Sequence, residues 1–261
     1  MPICRIFNSK GTELTHFRTE DFPNQRRIVV GRSSKCDVSL KHLAENNISR
    51  EHFNLTRSLG GDEWKIHDTS RAGIVLDCRK VPEADLTNGS VLRFGQLFFC
   101  FGDRAVPSPF FLSWNSAGGV EEYARLWPGV NSVGASHDNY VMVREGSVSR
   151  FHAKIEVNGE RILLSNLSSM VESQVNGTDV IGARDIRPGD DIVLADVSVR
   201  LGRADAMSVP VADILSESAL QRQNQKSETS RNLRPTIVVI LLLIIIGCFA
   251  IALFYGVRLL R

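Results

Sequence analysis

The tetrapeptide Ser-Arg-x-His occurs twice in this chain, beginning once at Ser49 and again at Ser149. Each copy follows a short β-type run that contains glycine, "IVVG" or "NSVG", and a further serine comes about twenty residues later, at Ser70 or Ser169. Agreement in both order and spacing makes an internal duplication the simplest explanation. The chain is therefore predicted to contain two copies of one fold.

Short apolar or alternating runs dominate both copies, and turn residues separate them. In the first copy these runs are "FNLT", "WKIH", "GIVL", "SVLRF" and "LFFCF". The second copy contains "EVNGER", in which Asn158-Gly159 suits a type I′ hairpin turn. Many short strands with regular turns predict an all-β fold of two β-sandwiches in tandem.

Changes in composition predict the domain boundaries. The first sandwich is assigned to residues 1–105 and the second to 119–206, with a Pro, Ser and Gly-rich linker at 106–118. Residues 207–235 are polar and are interpreted as a second linker, and residues 258–261 form a short tail.

One C-terminal stretch, Ile237 to Val257, contains 21 residues and no charge. As a helix it would be about 31 Å long, close to the roughly 30 Å hydrocarbon core of a bilayer. A buried core helix is the alternative, but such a helix seldom follows a polar linker. We therefore expect a transmembrane helix over residues 236–257 that contacts the lipid bilayer. The N-terminus lacks a secretory signal, which predicts a single-pass membrane protein with its N-terminal domains in the cytoplasm.

Composition argues against several other functions. The net charge of +2 gives no electrostatic reason to expect nucleic acid. The five cysteines and six histidines show no metal-ligand spacing, and no nucleophile elbow, P-loop or dinucleotide fingerprint is present. We therefore expect no catalytic residue, metal, cofactor or small-molecule substrate, and we interpret the cysteines as reduced structural thiols.

Four spaced motifs carry a family resemblance. In order they are Gly31-Arg32, Ser-x-x-His at Ser49, Asp-x-Ser-x-x-Gly at Asp68, and Gly-x-x-x-x-Phe-Gly at Gly89. This order resembles the forkhead-associated (FHA) domain family over roughly residues 5–102. A weaker resemblance covers about Tyr123 to Leu201.

The resemblance implies a phosphothreonine-binding site. In the family, the arginine after glycine and the serine of Ser-x-x-His contact the phosphate. Carried over to this chain, the resemblance implies phosphopeptide-binding roles for Arg32, Ser49, Arg50, Ser70 and Arg71. It implies structural roles for Gly31, His52, Gly73 and His152. The first copy departs from the family where Arg71 replaces the usual threonine and Ala72 the usual asparagine.

The second copy departs further, because Ala135 follows Gly134 where the phosphate-binding arginine should stand. We expect no phosphate recognition there. Two functions remain open. The chain is either a membrane-anchored adaptor whose first FHA domain binds phosphothreonine-bearing proteins, or a phosphate-independent structural scaffold of a membrane assembly such as a secretion-system-like complex.

Overall fold

The structure, a computed structural model, describes residues 2–23, 25–43, 47–58 and 61–204. Within these ranges there is no helix long and apolar enough to cross a membrane. The predicted polar linker at 207–235, the transmembrane helix at 236–257 and the tail at 258–261 lie outside the described residues.

The first half of the chain forms a β-sandwich, which we call the first sandwich. Its strands are β1 (Ile3–Asn8), β2 (Glu13–Arg18), β3 (Arg27–Gly31), β4 (Val38–Ser39), β5 (Phe53–Arg57), β6 (Trp64–Asp68), β7 (Ile74–Leu76), β8 (Arg79–Val81), β9 (Glu83–Leu86), β10 (Ser90–Phe94) and β11 (Leu97–Phe101). One sheet has the order β2-β1-β11-β10-β7-β8, and the other has the order β4-β3-β5-β6-β9.

The second half repeats this architecture and is called the second sandwich. Its strands are β12 (Phe110–Asn115), β13 (Glu121–Arg125), β14 (Gly129–Gly134), β15 (Val141–Met142), β16 (Ala153–Asn158), β17 (Arg161–Asn166), β18 (Ser173–Val175), β19 (Thr178–Asp179), β20 (Ala183–Ile186), β21 (Asp191–Leu194) and β22 (Val197–Arg203). The sheet orders, β13-β12-β22-β21-β18-β19 and β15-β14-β16-β17-β20, match those of the first sandwich strand for strand. The predicted all-β duplication is confirmed.

Alternating side chains build each core, as the sequence pattern predicts. In β6, Trp64 and Ile66 are buried while Lys65 between them is exposed. The first core is aromatic: the ring of Phe53 meets those of Phe94 and Phe99 edge-on, at centroid distances of 5.2 and 5.1 Å. Such aromatic contacts contribute beyond the apolar area they bury.

The structure differs from the sequence prediction at residues 106–118, which were assigned to a linker. They contain β12, the first strand of the second sandwich, which pairs with both β13 and β22. Phe110, Leu112 and Trp114 alternate along this strand and are buried. The flanking Pro, Ser and Gly residues give the segment a loop-like composition, although the alternation inside it is that of a strand.

A second difference concerns the predicted turn at Asn158-Gly159. Asn158 pairs with Arg161, so the two turn residues are Gly159 and Glu160. Of these two, Gly159 alone has a positive φ, of 60°. A positive φ at the first central residue is the pattern of a type II′ turn, not of type I′.

The two sandwiches pack directly against each other. Phe98 on β11 and Phe7 on β1 face out of the first core, and Trp127 of the second sandwich covers them at centroid distances of 4.9 and 5.4 Å. Tyr140 also packs on Phe98, and its hydroxyl donates a hydrogen bond to the Val91 carbonyl at 2.9 Å. This apolar interface, with no strand pairing across it, fixes the second sandwich on the outer face of one sheet of the first.

The cysteines of the described residues are free thiols. Cys4 lies in the first core, and Cys100 lies in the interface between the sandwiches. Burial raises the pKa of both thiols, which keeps them protonated and unreactive near neutral pH. Cys248 lies outside the described residues.

Candidate functional site

Three loops of the first sandwich meet at one end of the fold and are held together by backbone hydrogen bonds. The N–H groups of Arg32 and Ser33 donate to the carbonyls of Ser49 and Arg50, at 3.0 and 2.9 Å. The N–H of Arg71, from the third loop, donates to the Ser49 hydroxyl oxygen at 3.2 Å. Ser49 is therefore the residue on which the three loops converge.

Close contact between the first two loops explains why residue 31 is a glycine. A β-carbon at this position would lie 2.4 Å from the Arg50 carbonyl oxygen and 2.8 Å from the Glu51 Cα. Glycine is therefore required here by the small space between the loops, and not by a positive φ. In the second sandwich a β-carbon at Gly134 would likewise lie 2.5 Å from the Arg150 carbonyl oxygen.

We expect Gly31→Ala to destabilise the protein by about 1 to 3 kcal/mol, the usual cost of forcing an extra methyl group into packed structure. The added carbon must displace backbone, which cannot rotate away as a side chain can. Chemical denaturation measures the loss. Gly61→Ala is the matched control, because its nearest neighbours would be 3.8 Å away. Equal stability of the two variants would contradict this account.

The loops enclose a groove of about 700 Å³ that is rich in cationic side chains. Arg32, Ser49, Arg50 and Arg71, four of the five residues predicted to bind phosphopeptide, line it, and so does Glu51. The three arginines are exposed. Their guanidinium groups make no ion pair within the described ranges. Unpaired guanidinium groups around a hydroxyl are suited to bind a phosphate, since each offers a planar fork of donors.

The Arg32 side chain is held in position by the fold. Its Nε donates to the Ile48 carbonyl at 3.0 Å, while its two terminal nitrogens make no hydrogen bond among the described residues. The structure therefore orients the guanidinium and leaves these nitrogens available for an anion.

Ser70 has a different position from the other predicted site residues. Its hydroxyl oxygen accepts a hydrogen bond from the Gly73 N–H at 2.7 Å, and its own N–H donates to Asp68 at 2.9 Å. It does not line the groove. Gly73 has a φ of 88°, so these bonds close a tight turn and shape the loop that carries Arg71. Ala72, at the position where the family usually has asparagine, lines the groove with a methyl group.

His52 and His152 hold equivalent loops in the two sandwiches. In each ring Nδ1 accepts a hydrogen bond from the backbone N–H of the serine three residues earlier, at 3.0 and 3.1 Å. Nε2 is buried and faces the backbone of Gly73 or Glu172 without a hydrogen bond of normal geometry. Because His52 accepts from the Ser49 backbone and not from its hydroxyl, the pair is not arranged as a catalytic base and nucleophile.

Burial lowers the pKa of both histidines below the ordinary value of 6.5, and the facing backbone opposes the change only in part. The unfolded chain therefore takes up protons more readily than the folded protein as the pH falls. The contribution of the two histidines to the free energy of unfolding should be complete above about pH 6.5. It should be lost as the pH falls through the lower pKa values that these histidines have in the folded protein.

This pH dependence can be measured by urea denaturation at pH 7.5 and pH 5. We expect His52→Asn and His152→Asn each to reduce the loss of stability between the two pH values, because asparagine accepts a hydrogen bond but does not titrate there. His42→Asn, at an exposed position, should leave the loss unchanged. If His52→Asn and His152→Asn both lost as much stability between pH 7.5 and pH 5 as the wild type, the assignment of the pH dependence to these two histidines would be wrong.

The second sandwich has the same loop framework but keeps only one of the three arginines, since exposed Arg150 is the counterpart of Arg50. The N–H groups of Ala135 and Ser136 donate to the carbonyls of Ser149 and Arg150, at 3.0 and 3.1 Å. Ala135 stands in the place of Arg32, so no guanidinium is available there. The Ser149 hydroxyl is hydrogen-bonded to Ser168 at 2.9 Å.

The structural partner of Ser70 in this framework is Ser168, not Ser169 as the sequence spacing indicated. The Ser168 hydroxyl accepts from the Val171 N–H at 3.1 Å, in the same way that Ser70 accepts from Gly73. The β16–β17 hairpin is two residues shorter than the β5–β6 hairpin, since Ala153 pairs with Asn166 where Phe53 pairs with Asp68, and this hides the correspondence in the sequence. Exposed Met170 follows in this loop, with 91% of its surface accessible.

Several residues that line the groove were not predicted, among them Arg93, Gln96 and His137. Arg93 and Gln96 come from β10 and the β10–β11 turn, and His137 comes from the second sandwich. Arg93 donates a hydrogen bond to the His137 carbonyl. The Gly-x-x-x-x-Phe-Gly motif marks the turn that carries Gln96, but no sequence signal links His137 to this groove.

Known proteins similar to this chain are FHA domains. A family model described as FHA domain matches residues 28–95 and again residues 131–195. An FHA domain analysed for phosphothreonine-dependent interactions is 25% identical, over 36% of this chain and 94% of that one, with a TM-score of 0.32. The FHA domain of the CT664 protein from Chlamydia trachomatis is 22% identical, over 36% and 97%, with a TM-score of 0.34.

Mycobacterium tuberculosis EmbR, in complex with a low-affinity phosphopeptide, is 23% identical over 36% of this chain and 24% of that one, with a TM-score of 0.32. No curated protein matches the chain at a significant level.

The two matches of the family model together cover just over half of the chain. They coincide with the two sandwiches, whose strand orders are the same. The chain belongs to the FHA domain family and contains two FHA domains in tandem.

Proposed function

We propose that this protein is a membrane-anchored adaptor whose first FHA domain binds phosphothreonine-bearing proteins. FHA domains are protein-interaction modules, so an adaptor role follows from family membership. The observation that carries the specific proposal is the cluster of Arg32, Arg50 and Arg71 around Ser49, without ion pairs in the described part of the chain. A phosphate dianion would supply the missing negative charge, and charge-assisted hydrogen bonds of this kind are among the strongest in proteins.

The second FHA domain acts in this proposal as a scaffold that does not bind phosphate. Ala135 supplies no donor, and the Ser149 hydroxyl is already hydrogen-bonded to Ser168. Exposed Met170 occupies the loop that would face a ligand. A phosphate there would lose its water shell without gaining an equivalent set of donors.

The membrane anchor in this proposal is the apolar stretch from Ile237 to Val257, with both FHA domains on the cytoplasmic side. Its support is the length of the uncharged stretch, which matches the bilayer core. Extraction of membranes at high pH should leave the full chain in the pellet, and deletion of residues 236–257 should release it. Release of the intact chain would disprove the anchor.

A phosphate-independent scaffold within a membrane assembly, of the secretion-system-like kind, is the second candidate. Ala72 favours it, because a methyl group replaces the asparagine that would hydrogen-bond the peptide backbone. Each such bond contributes about 0.5 to 1.5 kcal/mol, so its absence weakens peptide binding even where the phosphate contacts are intact.

One experiment separates the two candidates. The full chain, kept in detergent, is incubated with a degenerate phosphothreonine peptide library and with the same library unphosphorylated. The adaptor function requires selective retention of phosphorylated peptides. Equal or absent retention from both libraries would favour the scaffold, and protein partners of the intact chain would then be sought in the membrane.

A further inference from the structure

One loop of the second sandwich lies against the first sandwich beside the arginine groove. This loop, residues 135–140, joins β14 to β15 and corresponds to the loop that follows Arg32 in the first sandwich. The carbonyl of His137 accepts a hydrogen bond from Arg93, and Asp138 forms an ion pair with Lys80 at 3.0 Å. Together with buried Tyr140, these contacts attach the loop to β10, β7 and β8.

The docked loop places one of its side chains at the groove. The His137 side chain is 74% exposed and lines the groove that also contains Arg32 and Ser49. The backbone of His137 is fixed by Arg93, so its side chain is presented from a defined position. The first sandwich alone could not form this part of the wall.

The groove also adjoins a cleft between the sandwiches. Arg93 and Gln96 line both the groove and a second cavity of about 400 Å³. This second cavity, which we call the inter-sandwich cleft, is bounded on the far side by Trp114, Tyr123 and Met142. The groove and the cleft therefore adjoin, and we call the adjoining surfaces from the arginines, past His137, to Trp114, Tyr123 and Met142 the path.

This path has the chemistry needed for an extended peptide. Its first part is cationic and fits a phosphate. The cleft combines aromatic and thioether groups with the charged side chains of Glu122, Arg144 and Glu145, so it offers both apolar and polar contacts to a peptide side chain. An extended strand advances about 3.3 Å per residue and directs successive side chains to opposite sides. Residues on one side of a bound phosphothreonine could therefore reach His137 and the cleft.

We propose that the second sandwich completes the peptide site of the first, contacting the residues on one side of the phosphothreonine through His137 and the inter-sandwich cleft. This inference rests on the proposed phosphothreonine binding. It gives the second FHA domain a role in peptide selection that does not require a phosphate site of its own.

The test uses the full chain in detergent and fluorescence anisotropy. The probes are the best phosphothreonine peptide from the library and two shortened forms, one truncated on the N-terminal and one on the C-terminal side of the phosphothreonine. In the wild type, truncation on one side should weaken binding about 10-fold, and truncation on the other side should have little effect.

Two variants alter only the part of the path supplied by the second sandwich. His137→Ala removes the side chain at the groove, and Met142→Asp places a carboxylate in the inter-sandwich cleft. Each variant should bind the full-length peptide about as weakly as the wild type binds the shortened peptide that loses affinity. Both variants should still prefer the phosphorylated peptide to the unphosphorylated one. His42→Ala and Met170→Asp, at exposed positions outside both cavities, are the matched controls and should bind like the wild type.

Two results would overturn the inference, and they differ from each other. If wild-type binding depends on phosphate but both variants bind all three peptides like the wild type, the second sandwich does not contribute and the proposed function stands. If the wild type shows no preference for phosphate, the proposed function and this inference both fail. Thermal unfolding of each variant shows that altered binding does not arise from loss of the fold.

Discussion

Replacing Arg32 with alanine is expected to weaken phosphothreonine peptide binding by at least about 100-fold. Hydrogen bonds to charged groups contribute about 1.5 to 3 kcal/mol each, and loss of two of them to one phosphate corresponds to a factor of 100 or more in Kd. The fold should be retained, because the side chain is exposed and its one internal hydrogen bond is to the Ile48 carbonyl. Isothermal titration calorimetry with the library-selected peptide measures the change.

Two controls make this result specific. Arg27→Ala removes another exposed arginine, at the start of β3, the strand that ends just before Arg32, and should leave affinity unchanged. Arg32→Lys keeps the charge but loses the planar fork, so its affinity should fall between those of the wild type and the alanine variant. Undiminished binding by Arg32→Ala would mean that the phosphate, if bound at all, is held elsewhere.

Replacing Trp127 with alanine should destabilise the protein by about 3 to 5 kcal/mol, the range for removing a large buried aromatic side chain. Trp127 is fully buried between the sandwiches, where it covers Phe7 and Phe98. Its loss should separate the two domains before either one unfolds, since these contacts lie in the interface and not in either core. Denaturation by urea gives the size of the effect.

Two buried thiols can report where the structure opens. Cys100 lies in the interface cluster, and Cys4 lies in the core of the first sandwich. In Trp127→Ala, a thiol reagent should label Cys100 well before Cys4. Trp64→Ala removes a buried tryptophan from the first core and should expose Cys4 at least as early as Cys100.

Trp127→Phe is a milder variant for the same position. The indole N–H of Trp127 has no hydrogen-bond partner among the described residues, so phenylalanine should keep most of the ring contact and lose no such bond. If Trp127→Ala labelled Cys4 and Cys100 together, the two sandwiches would unfold as one unit and the interface would not open separately.

The interface gives the second FHA domain contacts with the first that do not depend on a phosphate site of its own. Its β14–β15 loop has the backbone connections of a phosphate-binding loop, but its residues instead contact the first sandwich through His137, Asp138 and Tyr140. The loop therefore retains its framework while its side chains are used in domain packing. If the first sandwich binds phosphothreonine as proposed, a change in the second sandwich is expected to alter that binding without contacting the phosphate.

Local pattern predicted much of the fold because strand alternation and turn residues are properties of neighbouring residues. The repeated Ser-Arg-x-His tetrapeptide indicated the duplication for the same reason. β12 was missed because flanking Pro and Ser residues masked its alternation. The shift from Ser169 to Ser168 was missed because a β16–β17 hairpin shorter by two residues changes the sequence spacing while the hydrogen bonds keep their geometry.

The sequence by itself determined that the chain contains two related β-sandwiches and that Arg32, Ser49, Arg50 and Arg71 belong to one end of the first. Only the tertiary structure decided what covers the strand "LFFCF". An apolar run of this kind indicates burial on both faces, and all five residues of β11 are buried. The covering residue, Trp127, comes from a distant part of the chain, as does His137 at the groove. Such contacts depend on the packing of two finished domains, and no local pattern of residues encodes that packing.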